Sequence, residues 1–240
     1  MSYGGEDTDG IYHSIYDDYY WFTHFSDTNF IYGRALSQTA GTVVLRAADA
    51  EILPFEFTNF AETVQGFIKD LQKLAKSRQE DIGERNKQIE EGVFPAINDP
   101  RRPQVAPRME EVPPEFSWAP LENAANALTK AADRYGKALS AAKPGGANQE
   151  AARAVNQLLM QSERKLMTPD GIPRREWYKH LLYAPGFYTG YAVKTMPGVR
   201  EAIEQKNYKD VDGEILRVAR VLQAETELVE KAAAELERMK

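Results

Sequence analysis

The sequence predicts a mainly α-helical protein: a helical bundle of four main helices, preceded by a short N-terminal segment of different character. Three observations lead there. Apolar residues recur at steps of three, four and seven through several long stretches, which aligns them on one side of a helix. Seven of the thirteen prolines fall between Val93 and Pro120, where neither a regular helix nor a central strand can form. Two strong turn signals, Lys143-Pro144-Gly145-Gly146 and Thr168-Pro169-Asp170-Gly171, divide the remainder into helix-sized pieces.

Taken in order, DTNFIYGRALSQTAGTVVLRAADA (27–50) sets Phe30, Leu36, Val43 and Val44 among small residues. That pattern suits a helix packed closely on its neighbours, although Gly33 and Gly41 lower its intrinsic propensity. EILPFEF (51–57), interrupted by Pro54, reads as an extended connector, and a domain boundary is expected near residue 50. A long helix then runs from Thr58 to Glu91. Its stripe of Phe57, Phe60, Val64, Phe67, Leu71, Leu74, Ile82 and Ile89 is expected to face the core or a partner helix.

The proline-rich insert 93–120 is a long connection, which Phe94, Ile97, Val105, Phe116 and Trp118 should pin to a surface. Beyond it, Leu121, Ala125, Leu128, Ala132, Tyr135 and Leu139 form the seam of a packed helix. A further helix from Asn148 to Met167 turns Val155, Leu158, Leu159 and Leu166 inward, and the short intervening loop implies two antiparallel neighbours. Residues 171–198 are irregular and aromatic. A short helix near Val199–Glu204 leads to a final long one, with Asp212 as its N-cap and Ile215, Val218, Leu222, Val229 and Leu236 inward.

Composition excludes several classes of function. A net charge of −6 and a pI near 5.3 argue against a nucleic-acid partner or an anionic membrane surface. Without cysteine there are no disulfides, thiolate metal sites or cysteine nucleophiles, while the redox compartment stays open. No uninterrupted apolar stretch reaches the roughly 18 to 20 residues of a membrane-spanning helix, and the N-terminus lacks the layout of a signal peptide. Met1-Ser2 is followed at once by turn residues, so the chain is expected to be a fragment of a longer protein.

The first residues, MSYGGEDTDGIYHS, hold short motifs that need context. Gly4-Gly5-Glu6-Asp7 would need flanking strands to act as a cyclase motif, and nothing nearby supplies them. Asp7-Thr8-Asp9-Gly10 lacks the remaining ligands and terminal glutamate of a calcium loop. The three histidines, His13, His24 and His180, include no pair at one-turn helical spacing, so a complete histidine zinc site within the chain is not expected. Taken alone, His13 reads as a hydrogen-bonded structural residue.

Two stretches change that weighting. GIYHSIYDDYYWFTHFSDTNF, continuing to ILPFEF, resembles the end of the peptidase domain in the glutamate carboxypeptidase II and prostate-specific membrane antigen family. PDGIPRREWYKHLLYAPGFYTGYAVKTMPGVREAI resembles the transferrin-receptor-like dimerisation domain of the same family. The resemblance implies that residues 1–50 are a remnant of an α/β zinc peptidase domain. It also implies that residues 51–240 are the dimerisation domain, with 93–120 as a proline-rich insert.

That family uses two zinc ions sharing a bridging water. By the same resemblance, His13 falls at the last zinc ligand, and neutral imidazole is a zinc donor. Tyr12 falls at a tyrosine that contacts substrate and the tetrahedral intermediate, as a phenolic donor can. Gly190 and Tyr191 fall in the pocket for the substrate's terminal side chain. There the glutamate-specific relatives carry lysine before tyrosine, and glycine provides no cation, which removes the basis for a glutamate preference.

The fragment alone is expected to be neither an enzyme nor a zinc protein, because one ligand cannot hold a catalytic metal. Its expected partners are a second copy, the rest of the peptidase chain and, in the complete parent, zinc and a peptide substrate. The alternative is a non-catalytic receptor or scaffold module of the transferrin receptor branch. An intact Tyr-His-Ser pattern favours the enzyme branch, because the receptor branch lacks a working zinc site. His180, in the run KHLLYAP, reads as structural.

Overall fold

Helix-capping side chains divide this chain before hydrophobic packing does. The computed structural model describes residues 11–144, 148–190 and 192–239, and the chain separates between Pro54 and Phe55 into two compact units.

In the first unit, Asp18 caps α1 (Tyr19–Trp21) by accepting the Trp21 amide at 2.8 Å, and a π-helical turn, Phe22–Ser26, continues it. Asp27 then organises α2 (Ile31–Ala48): its carboxylate accepts the amides of Tyr32 at 3.1 Å and Gly33 at 2.7 Å. These are first-turn donors that a helix cannot satisfy internally. Glycine at 33 lets the carboxylate come close, since a Cβ there would stand 3.3 Å from Asp27 Oδ2. Asp27 is the one buried residue among the described residues of this unit. The expectation that Phe30, Val43 and Val44 pack closely on neighbours is therefore corrected: α2 has no buried residue, and all three are exposed. So short a segment holds too little chain to cover an 18-residue helix.

The second unit opens with Glu56, whose carboxylate accepts the amides of Thr58 at 3.0 Å and Asn59 at 2.8 Å and so starts α3 (Phe57–Glu90). The expected stripe holds at Phe57, Val64, Leu71 and Ile82. Phe60, Phe67, Leu74 and Ile89 are instead half-buried, and Ala61, Ile68 and Ala75 complete the buried face. The reason is helical pitch. A buried seam alternates steps of four and three, whereas positions 60, 67 and 74 sit one residue, about 100°, round the helix from it.

After a short turn of helix, α4 (Val93–Ala96), the proline-rich connection runs without regular structure to α5 (Ala119–Ala141). Polar side chains of α3 hold it alongside apolar contacts. Asn86 forms two hydrogen bonds with the Glu110 backbone, at 2.7 and 3.0 Å, and Gln79 donates to the Pro113 carbonyl at 3.0 Å. Of the expected apolar pins, Phe116 is buried, Phe94 and Trp118 are half-buried, and Ile97 and Val105 are exposed, Val105 at 98%.

The last helix, α9 (Tyr208–Glu237), is the centre of the unit. It begins four residues before Asp212, which is not its cap; Asp212 accepts the Ser117 amide at 2.9 Å, tying the end of the connection to the helix. Ile215, Val218, Leu222, Val229 and Leu236 are all buried, as their spacing predicts. Against α9 pack α5, α6 (Gln149–Leu159), α7 (Ser162–Lys165) and α8 (Pro197–Glu204), while α3 covers another side of α5.

Side-chain pairs fix the directions. Ser117 with Asp212, and Arg134 with Glu230 and Glu237, make α5 and α9 parallel; Gln65 with Asn126 and Gln72 with Glu122 make α3 and α5 antiparallel. The expectation that α5 and the following helix are neighbours is corrected accordingly, because α6 packs on α9 rather than on α5. A bundle of mainly α structure is thus observed, with one addition among the described residues. That is a two-stranded antiparallel hairpin, β1 (Tyr183–Pro185) and β2 (Val193–Thr195), in the register Tyr183↔Thr195 and Pro185↔Val193.

The helix expected over 148–167 breaks after Leu159. Just beyond the break, the Ser162 hydroxyl donates to Glu225 Oε1 at 2.5 Å, and Glu225 on α9 is fully buried, its Oε2 without a partner. Burial pushes this carboxyl above its ordinary value, against a smaller lowering by the Ser162 bond. A carboxyl raised in the fold binds its proton more tightly folded than unfolded. Its contribution is therefore fully present below the unfolded value of 4.5 and is lost as pH rises through the folded value. The variant Glu225→Gln, which keeps an acceptor for Ser162, should melt above the wild type at about pH 8, and the gap should close towards about pH 4.5. Thermal denaturation across that range checks it, and a gap independent of pH contradicts it.

Candidate functional site

The residues marked by sequence lie in both units. In the first, residues 11–17 form a chain of turns: the Ser14 amide bonds to the Ile11 carbonyl at 2.8 Å, and the Asp17 amide to the Ser14 carbonyl at 3.2 Å. His13 sits inside this turn with φ +67, a left-handed conformation unusual for a residue with a side chain. The turn sets its ring 4.0 Å from that of Tyr12, and both are exposed, Tyr12 at 72%. Sequence neighbours are thus brought together as an aromatic pair, with the imidazole open to outside groups. His24, by contrast, is committed: its Nδ1 pairs with the Tyr20 carbonyl at 2.7 Å and its ring stacks on Tyr20.

Among the described residues no three His, Asp or Glu side chains converge as a metal site. His13 fits zinc as a single donor, so a zinc ion there would need its other ligands from beyond the described residues.

In the second unit the marked residues lie on the loop between β1 and β2. Gly190 is exposed, with open space where a side chain would project; Tyr191 lies outside the described residues. The loop is closed at its base by the Gly186 amide bonding to the Ala192 carbonyl at 3.1 Å, and tightened by the Thr189 amide to the Gly186 carbonyl at 3.3 Å. One face of α8 anchors the hairpin. Glu204 pairs with Lys194 of β2 at 2.9 Å, and Arg200 donates to the Thr195 carbonyl at 3.2 Å and hydroxyl at 2.9 Å. The Glu201 carboxylate accepts the Phe187 amide at 2.8 Å.

The helix itself is seated through glycine. Gly198 lies in the first turn of α8, where a Cβ would collide with the buried Glu214 carboxylate of α9. Sequence reasoning passed over Arg175 and Glu201, which form a buried ion pair beneath the loop. The available signals were weak: a doubled arginine in an aromatic segment, and one of two acids in a short helix that also carries Arg200.

His180 borders the same hairpin. Its Nδ1 accepts the Leu182 amide at 3.3 Å, which leaves the proton on Nε2, 3.2 Å from Glu163 Oε2. The Tyr183 hydroxyl donates to that same oxygen at 3.1 Å. Burial holds the imidazole below its ordinary value, opposed by the nearby Glu163 charge, and the bond that joins α7 to β1 is the one from the Tyr183 hydroxyl to Glu163.

The known proteins most informative for this geometry fall in one group. Residues 116–230, from the end of the connection through most of α9, match the transferrin receptor-like dimerisation domain. The chain is 29% identical over 219 residues to the probable glutamate carboxypeptidase LAMP1 of Arabidopsis thaliana, covering 88% of this chain and 26% of that protein. It is 27% identical to a probable glutamate carboxypeptidase of Arthroderma benhamiae, covering 85% and 24%. With the aminopeptidase NAALADL1 of Rattus norvegicus it shares 26% identity, covering 80% and 21%. The chain spans about a quarter of the length of the curated relatives it matches. With its bundle built on α5 and α9, the chain is similar over residues 116–230 to the transferrin receptor-like dimerisation domain and, over 80–88% of its length, to these carboxypeptidases and this aminopeptidase.

Proposed function

We propose that the chain is the homodimerisation part of a zinc-dependent peptidase. In this reading residues 1–50 are the tail of the peptidase domain and residues 51–240 the dimerisation domain. The observation that carries it is the match of residues 116–230 to a dimerisation domain over the helices that form the packed core. A contact surface for a second copy is the groove between α5 and α9, where Leu216 stands exposed beside Ala124 and Ala127. Small side chains on one helix and a large apolar one on the next let two bundles approach closely.

In the whole peptidase His13 supplies one imidazole to zinc, and Tyr12, next to it, turns a phenolic donor towards charge developing on the substrate. Zinc, when bound, supplies Lewis acidity and a water acidic enough to attack near neutral pH. Gly190 and Tyr191 line the pocket for the substrate's terminal side chain. With glycine at 190 that position offers neither charge nor bulk, which favours an uncharged or larger side chain over glutamate. Among the described residues no three His, Asp or Glu side chains converge as a metal site, and in this reading the 240-residue chain alone is not catalytic.

Three measurements test these points. Sedimentation of the 240-residue chain at tens of micromolar should give the mass of two chains, and Leu216→Asp should shift it towards one; a strict monomer at that concentration overturns the assignment. In the full-length protein His13→Ala should lower zinc content and reduce kcat/KM by about a hundredfold or more, since even outer partners of zinc ligands are worth roughly 10- to 100-fold. The isolated chain should bind no stoichiometric zinc, and stoichiometric zinc with peptide turnover by that chain would refute its inactivity.

A further inference from the structure

The loop carrying Gly190 and Tyr191 is fastened at its start by the two members of a single ion pair. The side chains of Arg175 and Glu201 are 10% and 6% exposed, and Arg175 Nη2 lies 2.7 Å from Glu201 Oε2. Neither is spent on the other alone. Arg175 Nη1 donates to the Pro185 carbonyl, and Glu201 Oε1 accepts the Phe187 amide at 2.8 Å. These backbone groups flank Gly186, the residue that closes the loop onto Ala192. Beside them the Arg174 guanidinium stacks over the Phe187 ring, 4.4 Å from its centroid, which holds the first side chain of the loop in place.

We infer that Arg175 and Glu201 are positioning residues for substrate recognition, fixing where the loop leaves β1 and hence where Gly190 stands. The inference rests on the reading above that this loop reaches the substrate. A buried ion pair is a poor device for stability alone, because desolvation offsets most of its attraction. Its value lies in geometry. An arginine fork and a carboxylate, each with one hydrogen-bonding site left over, hold two peptide groups at fixed separation and orientation. Both attachments are to backbone, so the loop can change its side chains, glycine at 190 included, without changing its path.

The test uses Glu201→Gln, which keeps shape but removes the charge, and Arg175→Lys, which keeps the charge but removes the fork. In the 240-residue chain, hydrogen exchange read by mass spectrometry should accelerate roughly tenfold or more across residues 186–192, the scale of a lost charge-assisted hydrogen bond. Amides of α5 and α9 should exchange as in the wild type. An unchanged loop overturns the inference, as does equal acceleration in α5 and α9, the result of a merely structural role. In the full-length protein, Glu201→Gln should raise KM for peptide about tenfold while kcat stays within about twofold, as expected when ground-state and transition-state binding are lost together. A fall in kcat with KM unchanged contradicts it. A wild-type full-length protein without peptidase activity overturns the functional reading, and the exchange experiment then decides separately whether the pair holds the loop.

Discussion

The second unit depends on the burial of α9 on more than one side. Four other helices pack on it, and its buried residues include Val211, Ile215, Val218, Leu222, Leu228, Val229 and Leu236. A helix apolar around so much of its surface cannot be stable alone in water and holds its shape only when enclosed. Polar contacts tie two of these elements to α9, Ser117 to Asp212 and Arg134 to Glu230 and Glu237 for α5 and Ser162 to Glu225 for α7, while at α8 the absence of a side chain on Gly198 admits the Glu214 carboxylate. Hydrophobic burial supplies the affinity of these helices for one another. The polar contacts choose the register.

Local pattern made much of this legible before any coordinates. The inward residues of α9 follow directly from apolar spacing, because a helix that is buried lengthwise needs an unbroken stripe. Two kinds of feature were not legible. Partner choice among helices was one: a short loop between α5 and α6 suggests contact between them, yet α9, distant in sequence, offers each of them more apolar surface. The other was the exchange of a half-exposed face for a buried one, as on α3, where alanines at 61 and 75 carry the seam and the larger Phe60 and Phe67 flank it. Size invites attention in a sequence, while close helix packing rewards smallness.

The candidate site divides in the same way. Tyr12, His13 and Gly190 stand out through motif resemblance, which reports residue type and order. What holds their surroundings in place does not follow from motifs. Arg175, Glu201 and Glu204 do their work through backbone atoms and partners up to 26 residues away, and no spacing rule joins them. In the first unit the opposite holds. Asp27 caps α2 through contacts five and six residues on, and its role follows from local helix chemistry once the helix start is known.

The parallel arrangement of α5 and α9 also bears on the order of events in folding. Two helices pointing the same way cannot be joined by a tight turn, and their first contact, Ser117 with Asp212, closes a separation of 95 residues. The chain between must travel down and back before the pair can form, and the entropy of that closure opposes it. The α3–α5 pairs close shorter separations of 50 and 61 residues, whereas α6, α7 and the β1–β2 hairpin all lie within the longer excursion. The β1–β2 hairpin lies within that excursion, so closing the α5–α9 pair also encloses the stretch of chain that carries it.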